Sequence, residues 1–332
     1  MMTLLGLALL ATTAVAQGPG PVRMIFDTDI GNDVDDTLAM GVIHALQNRG
    51  ECKLLAVTIT KDNQYAAPMV GLINTFYKRP NIPVGIVRGG VTPDDGQYLK
   101  QVVLMKNEKS GEAFPSAIQP GSTVLEATGL LRKLLAAEED GAVVVVQVGF
   151  STNFARLMES GPDTVSPLSG MELIRKKVRL LSIMAGAFDS KYTHVEYNIG
   201  CDLPAAKKLI AEWPTPIVFS GFEIGDMIQY PSASIQNDYN YVPYHPLKTA
   251  YHHYRGLESD QATFDLTSVL YAVRPNRGYF DLSEPGTVVL DENGRTSFKP
   301  DANGKHRYMK VSATQIAQVR EALCLLCSEP PK

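Results

Sequence analysis

VRMIFDTDIGNDVDDTLAM, residues 22–40, runs from a strand-forming apolar stretch through an acidic turn into an apolar segment of helical spacing. Residues 22–26 read as a buried strand, and 35–46 places apolar side chains three and four apart, as one face of a helix requires. Between them Asp27, Asp29, Asp33, Asp35 and Asp36 put five carboxylates within ten residues. So much like charge at the end of a buried strand is unfavourable unless a cation offsets it. Oxygen donors with no His or Cys nearby suit a hard divalent ion, calcium or magnesium, and several protein carboxylates lean towards calcium.

The same alternation continues along the chain. Residues 54–59, 84–87, 143–148, 178–183 and 216–219 read as buried strands, and 66–77, 124–137, 205–211 and 266–273 as helices. This rhythm predicts an α/β fold, a doubly wound, mostly parallel central sheet with helices on both faces. Residues 88–121, rich in Gly, Pro and polar side chains, read as a long surface excursion suited to a lid or an oligomer contact. Residues 228–262 are polar and aromatic, as segments walling a pocket often are.

Composition bounds the function. The 332 residues are 45% hydrophobic and 20% charged, with net charge -4 and no long basic run. That is an ordinary globular enzyme without the electrostatic footprint of a nucleic-acid binder, so the expected partner is a small molecule. Residues 1–16, MMTLLGLALLATTAVA, form an apolar stretch too short for a bilayer span and end in Ala14-Val15-Ala16, a small-x-small cleavage pattern. The positively charged start usual in such segments is missing. The segment is read as a signal peptide on a secreted protein, with a disordered or core-packed N-terminus as the alternative. Residues 17–332 then form a single domain with no membrane span. Cys52, Cys201, Cys324 and Cys327 are too few for a disulfide framework, and the Cys324–Cys327 pair lacks the partners of a zinc set.

An acidic turn capping a helix accounts for one or two aspartates, not five. The loop does not fit an EF-hand, lacking Gly at the sixth position and Glu at the twelfth counted from Asp27. A phosphotransferase of the haloacid dehalogenase type also carries DxD after its first strand, although Gly31 departs from its pattern.

DTDIGNDVDDTLAM resembles the N-terminal signature of the inosine-uridine nucleoside hydrolases, in the version with two extra residues before the final Asp pair. Further matches follow in the family's order: TITKDN ending at Asn63, VGFSTNFA around Thr152, MAGAF at 184–188, EYNIGCDLPAA from Glu196 and FDLTSVLYAVRP from Phe264. Together they span residues 22–275. The resemblance implies a calcium ion holding the nucleophilic water and the ribose 2′- and 3′-hydroxyls, ligated by Asp29, Asp36, the Thr152 main-chain carbonyl and Asp265. It implies Asp35 as the general base, with Asp33 as a stand-in given the insertion. It implies Asn63, Glu196 and Asn198 as partners of the ribose hydroxyls, with Glu223 either lining the pocket or capping a helix. The expected reaction is calcium-dependent hydrolysis of a ribonucleoside to free base and ribose, by a homo-oligomer, dimer or tetramer.

Two departures stand out. Many members carry a histidine before the late metal aspartate, proposed to protonate the departing base; here Phe264 holds that position, leaving His252, His253 or a tyrosine of 228–262 as candidate acids. The segment 189–195 is short and lacks the Gly-Asn pair that reaches the sugar's 5′ side. A ribosyl-binding protein or degenerate hydrolase without turnover is therefore the second expectation, and phosphoryl transfer the third.

Overall fold

The computed structural model describes residues 20–107, 111–112 and 114–332; the segment 1–16 read as an export signal lies outside the described residues. The main sheet has eleven strands. Its parallel part runs, in spatial order, Leu125–Glu126, Val84–Ile86, Cys52–Ile59, Val22–Thr28, Val143–Gln147, Val178–Met184, Ile217–Ser220 and His306–Lys310. Gly286–Leu290 and Thr296–Pro300 extend the edge beyond His306–Lys310 in antiparallel sense.

The central strands are mostly apolar because both faces are covered. Along Val22–Thr28, Met24 and Phe26 enter one core cluster and Ile25 the other; along Val143–Gln147, Val144 and Val146 face the first, Val143 and Val145 the second. Each such side chain contributes about 1.5–3 kcal/mol by leaving water. The helices Asp35–Asn48, Ala66–Phe76 and Phe264–Val273 cover the first face, and Ala127–Ala137, Thr152–Glu159 and Leu203–Glu212 the second. The expected doubly wound fold is the observed one. All six expected strands occur, shifted by at most two residues at their ends, and the antiparallel edge is an addition to them. Among the described residues no helix is long and apolar enough to cross a membrane.

The topology fixes where a ligand crevice lies. From Val22–Thr28 the chain adds strands in one direction as far as Leu125–Glu126, then returns to pair Val143–Gln147 on the other side of Val22–Thr28. The connections leave the carboxyl ends of these two neighbouring strands in opposite directions, which opens a crevice there. The aspartate turn sits at that point.

Candidate active site

The turn is built from the strand end outward. Asp27 is wholly buried, its Oδ1 accepting from Thr58 Oγ1 at 2.5 Å and Asn153 Nδ2 at 2.8 Å, while Oδ2 has no hydrogen-bond partner. Burial lifts this carboxyl to a pKa of about 7. Asp27 lies behind the cavity rather than on its wall. Of the DxD pattern, Asp29 and not Asp27 is presented to the cavity. Thr28 Oγ1 accepts from Ile30 N at 3.1 Å and donates to Asp36 Oδ1. Gly31, at φ +115°, turns the chain where an L side chain is disfavoured and where a Cβ would strike Leu99.

The helix Asp35–Asn48 then begins with two carboxylates in its first turn, where unpaired N–H groups and the dipole favour negative charge. Asp33 Oδ1 accepts from Asp35 N at 2.8 Å. From the far side, the helix Phe264–Val273 brings Asp265, whose N–H donates to Asp35 Oδ2 at 3.0 Å. Asp29 is oriented by Asn32, whose Nδ2 donates to its Oδ2 at 2.7 Å.

These groups wall one cavity of about 310 Å³. Its acidic floor holds Asp29, Asp33, Asp35, Asp36 and Asp265, and one oxygen from each of Asp33, Asp35 and Asp36 lies within 4.8 Å of the others. Desolvation, reinforced by the neighbouring carboxylates, drives Asp29, Asp35, Asp36 and Asp265 above the ordinary carboxylate range. A cluster that resists ionisation by itself and offers only oxygen donors is matched to a hard divalent cation, which would remove the like-charge penalty. The residues present therefore fit such an ion.

Another part of the lining is aromatic. Phe222 and Phe264 stack at 5.0 Å between centroids and 30° between planes, and Tyr197 and Tyr254 join them in the lining. Glu196 and Asn198 also line the cavity. Glu196 caps the helix Tyr197–Cys201, accepting from Asn198 N at 2.8 Å and Ile199 N at 3.2 Å, and burial raises it to a pKa of about 7. Asn198 commits its amide nitrogen to Val148 O at 2.7 Å.

Of the residues singled out in the sequence, Asp29, Asp33, Asp35, Asp36, Glu196, Asn198, Phe264 and Asp265 meet in this cavity. Asn63 stands outside it. Its Nδ2 donates to Pro93 O, Asp94 O and Asp95 Oδ1, each at 3.0 Å, and it lines a neighbouring cavity instead. Thr152 opens the helix Thr152–Glu159, its hydroxyl donating to Asp202 Oδ2, and does not line the cavity. Glu223 is buried against Phe188 N, at 3.1 Å, and does not line the cavity. His252 and His253 are exposed and reach no part of the wall, so Tyr254 is the residue of 228–262 that does. Sequence inspection missed Asn32, Tyr197 and Phe222. Phe222 adjoins Glu223 in SGFEIG and Tyr197 lies inside EYNIG, but a single aromatic residue carries no sign of whether it faces core or cavity.

The family model described as inosine-uridine preferring nucleoside hydrolase matches residues 24–320. Among solved structures, the chain is similar to a plant nucleoside hydrolase at 20% identity and a TM-score of 0.68, over 93% of this chain and 100% of that one. It is similar to a purine-preferring ribonucleoside hydrolase from Gardnerella vaginalis at 17% identity and a TM-score of 0.66, over 92% and 99%. A type III effector protein, XopQ, solved in complex with adenosine diphosphate ribose, is similar at 16% identity and a TM-score of 0.67, over 95% of each chain. No curated protein matches the chain by sequence.

Proposed function

Because the chain belongs to the inosine-uridine preferring nucleoside hydrolase family, hydrolases of N-glycosyl bonds, we propose that it cleaves ribonucleosides to free base and ribose with calcium as cofactor. The observation that carries this is the meeting, in one cavity at the sheet's switch point, of an all-oxygen acidic floor with a stacked aromatic wall. A polar sugar and a flat base are chemically matched to those two sides.

Asp29, Asp36 and Asp265, with the Thr152 carbonyl, are the proposed calcium ligands. Bound there, calcium supplies a Lewis acid that lowers the pKa of water and offsets the cluster's charge. Asp35 accepts a proton from the attacking water as its oxygen bonds to the anomeric carbon. The C–N bond breaks, its electron pair leaves with the base, and the base takes up a proton from solvent, to which Asp35 releases the one it accepted. Glu196 and Asn198 hold the ribose hydroxyls; contacts that tighten as the ring flattens towards an oxocarbenium ion lower the barrier selectively. Asn63, its amide nitrogen engaged by the 93–95 loop, contributes by fixing that loop. Phe222 and Phe264 receive the base, and Tyr197 and Tyr254 are the hydroxyl-bearing aromatics of the cavity lining.

The test is incubation of the purified protein with a panel of purine and pyrimidine nucleosides, with and without EGTA, followed by chromatography. Free base appearing only without the chelator is expected. Base release unaffected by EGTA would remove calcium, and no release from any nucleoside would remove the activity. The second possibility, a ribosyl-binding protein without turnover, draws support from the cavity lining itself, which among the described residues contains no histidine to protonate the base. Calorimetry showing nucleoside binding with no base release selects it. Export through residues 1–16 and a homo-oligomeric state complete the proposal; N-terminal sequencing of the exported protein and light scattering test them.

A further inference from the structure

Lys61, two residues past the strand Cys52–Ile59, is fully buried beside the acidic cluster without belonging to its lining. Its Nζ donates to Asn32 Oδ1 at 2.8 Å and to Thr92 O at 2.7 Å, and reaches Asp94 Oδ2 at 3.4 Å. Those contacts use all three donor directions of an ammonium group. A buried ammonium is tolerated only when so bonded, and apolar packing offers no reason to place one here. Thr92, whose carbonyl is one acceptor, holds φ at +49°, a conformation disfavoured for residues other than glycine.

The consequence runs through Asn32. A carboxamide has an accepting end and a donating end, and which faces where is set by its neighbours. Lys61 has only donors. It therefore fixes the Asn32 oxygen towards itself and the Asn32 nitrogen towards Asp29 Oδ2, at 2.7 Å, and Thr92 Oγ1, at 3.3 Å. Without the ammonium the amide is free to turn, presenting an oxygen to a carboxylate oxygen.

We propose that Lys61 is a positioning residue: by fixing the orientation of Asn32 it holds the Asp29 carboxylate in the pose that receives calcium. This rests on the calcium site proposed above. Outer partners that orient metal ligands are worth roughly 10- to 100-fold in affinity.

The test is a double-mutant cycle read by calcium calorimetry on the full chain, with melting in EGTA as the check on folding. Lys61→Met keeps the aliphatic stem and removes the charge; Asn32→Ala removes the relay. Each single variant is expected to weaken calcium binding about ten-fold, and the double variant by no more than either, because both break one chain of contacts. Independent effects, multiplying to roughly 100-fold in the double variant, overturn the relay. Tighter calcium binding by Lys61→Met overturns it too, since the ammonium would then act as a competing charge. If Lys61→Met does not fold, the Asn32→Ala variant decides: unchanged calcium affinity overturns the proposal. Absence of calcium binding by the wild-type protein fails the calcium site itself and the inference with it, an outcome distinct from wild-type binding with additive variants.

Discussion

The main-chain N–H of Asp265 donates to the Asp35 carboxylate at 3.0 Å, joining residues 230 apart in sequence at the mouths of two helices. The helices Asp35–Asn48 and Phe264–Val273 thus both begin at the cavity, and their free N–H groups and dipoles favour the negative charge gathered there. Asp35 is held by backbone, while the other acids surround it.

That hold makes Asp35→Asn informative. An amide oxygen still accepts from Asp265 N, and Asp29, Asp36 and Asp265 keep their charge, so calcium affinity should stay within a few-fold of wild type. A general base contributes roughly 10²–10⁴ in rate, and kcat should fall by that factor. Steady-state kinetics beside calcium calorimetry checks both halves. A variant with wild-type kcat would move the base elsewhere on the floor, Asp33 being adjacent.

The acidic floor also sets how stability responds to calcium and pH. Without a cation the folded-state pKa values of Asp29, Asp35, Asp36 and Asp265 are raised by burial. A carboxyl with a raised folded pKa stabilises below its unfolded value, near 4, and that contribution is lost as pH rises through the folded pKa. Calcium-free protein should therefore lose Tm between pH 5 and pH 8, whereas calcium, binding only the folded state, restores it. The gap between melting curves in calcium and in EGTA should widen from pH 5 to pH 8. An equal gap at both values would show that these carboxylates do not hold the ion.

The architecture and half of the site were legible in the sequence for identifiable reasons. Strands buried on both faces read as unbroken apolar runs, so Val143–Gln147 needed no alternation to be found. The edge strands Gly286–Leu290 and Thr296–Pro300 are partly exposed and mix Thr, Ser and Lys with apolar residues, which leaves no such run. Asp27 to Asp36 declared themselves by charge density. Lys61 did not, because a single lysine near a strand end is ordinarily a solvated side chain and only the folded 92–94 segment reveals it as buried. Much the same holds for 228–262: Tyr230, Tyr239 and Tyr251 serve the core and Tyr254 alone of those residues the cavity, and the division between Tyr251 and Tyr254 depends on how the helix Pro246–Arg255 is rotated.

The aromatic wall predicts a binding effect. Phe264→Leu removes one face of the Phe222–Phe264 stack and keeps an apolar side chain over Gly225. Stacked aromatic contacts are worth about 0.5–1.5 kcal/mol beyond area, or roughly 2- to 12-fold. KM for nucleosides should rise by that range, with calcium affinity unchanged. An unaltered KM would place the base away from Phe264.

Remote from the cavity, His44 gives an opposite pH signature. It is buried in the helix Asp35–Asn48, stacked on Tyr77 at 4.6 Å, with Nε2 3.0 Å from Asn74 Oδ1. Burial first, and the Arg79 charge second, lower its pKa from 6.5 to about 3. A lowered folded pKa means that the contribution is complete above the unfolded value and is lost as pH falls from about 6.5 towards 3, by up to roughly 1.4 kcal/mol per pH unit. Urea midpoints of wild type and His44→Gln should accordingly converge between pH 7 and pH 5. A difference that stays constant with pH contradicts the assignment.

Gly149 ties strand packing to the metal carboxylate. The strand Val143–Gln147 ends beside Val22–Thr28, and a Cβ on Gly149 would sit 2.5 Å from Asp29 N, 2.5 Å from Thr60 Oγ1 and 2.7 Å from the Thr28 carbonyl carbon. Two of those neighbours are backbone and cannot step aside without moving Asp29. Overpacking of this kind costs about 1–3 kcal/mol, so Gly149→Ala should melt lower in EGTA and, because Asp29 is displaced, bind calcium more weakly as well. Gly161→Ala provides the contrast: nothing lies within 4 Å of its added methyl, and its effect on stability should stay within about 0.5 kcal/mol. If Gly149→Ala lowers Tm while leaving calcium affinity untouched, the strand end and the Asp29 ligand are mechanically independent, and the close approach serves packing alone.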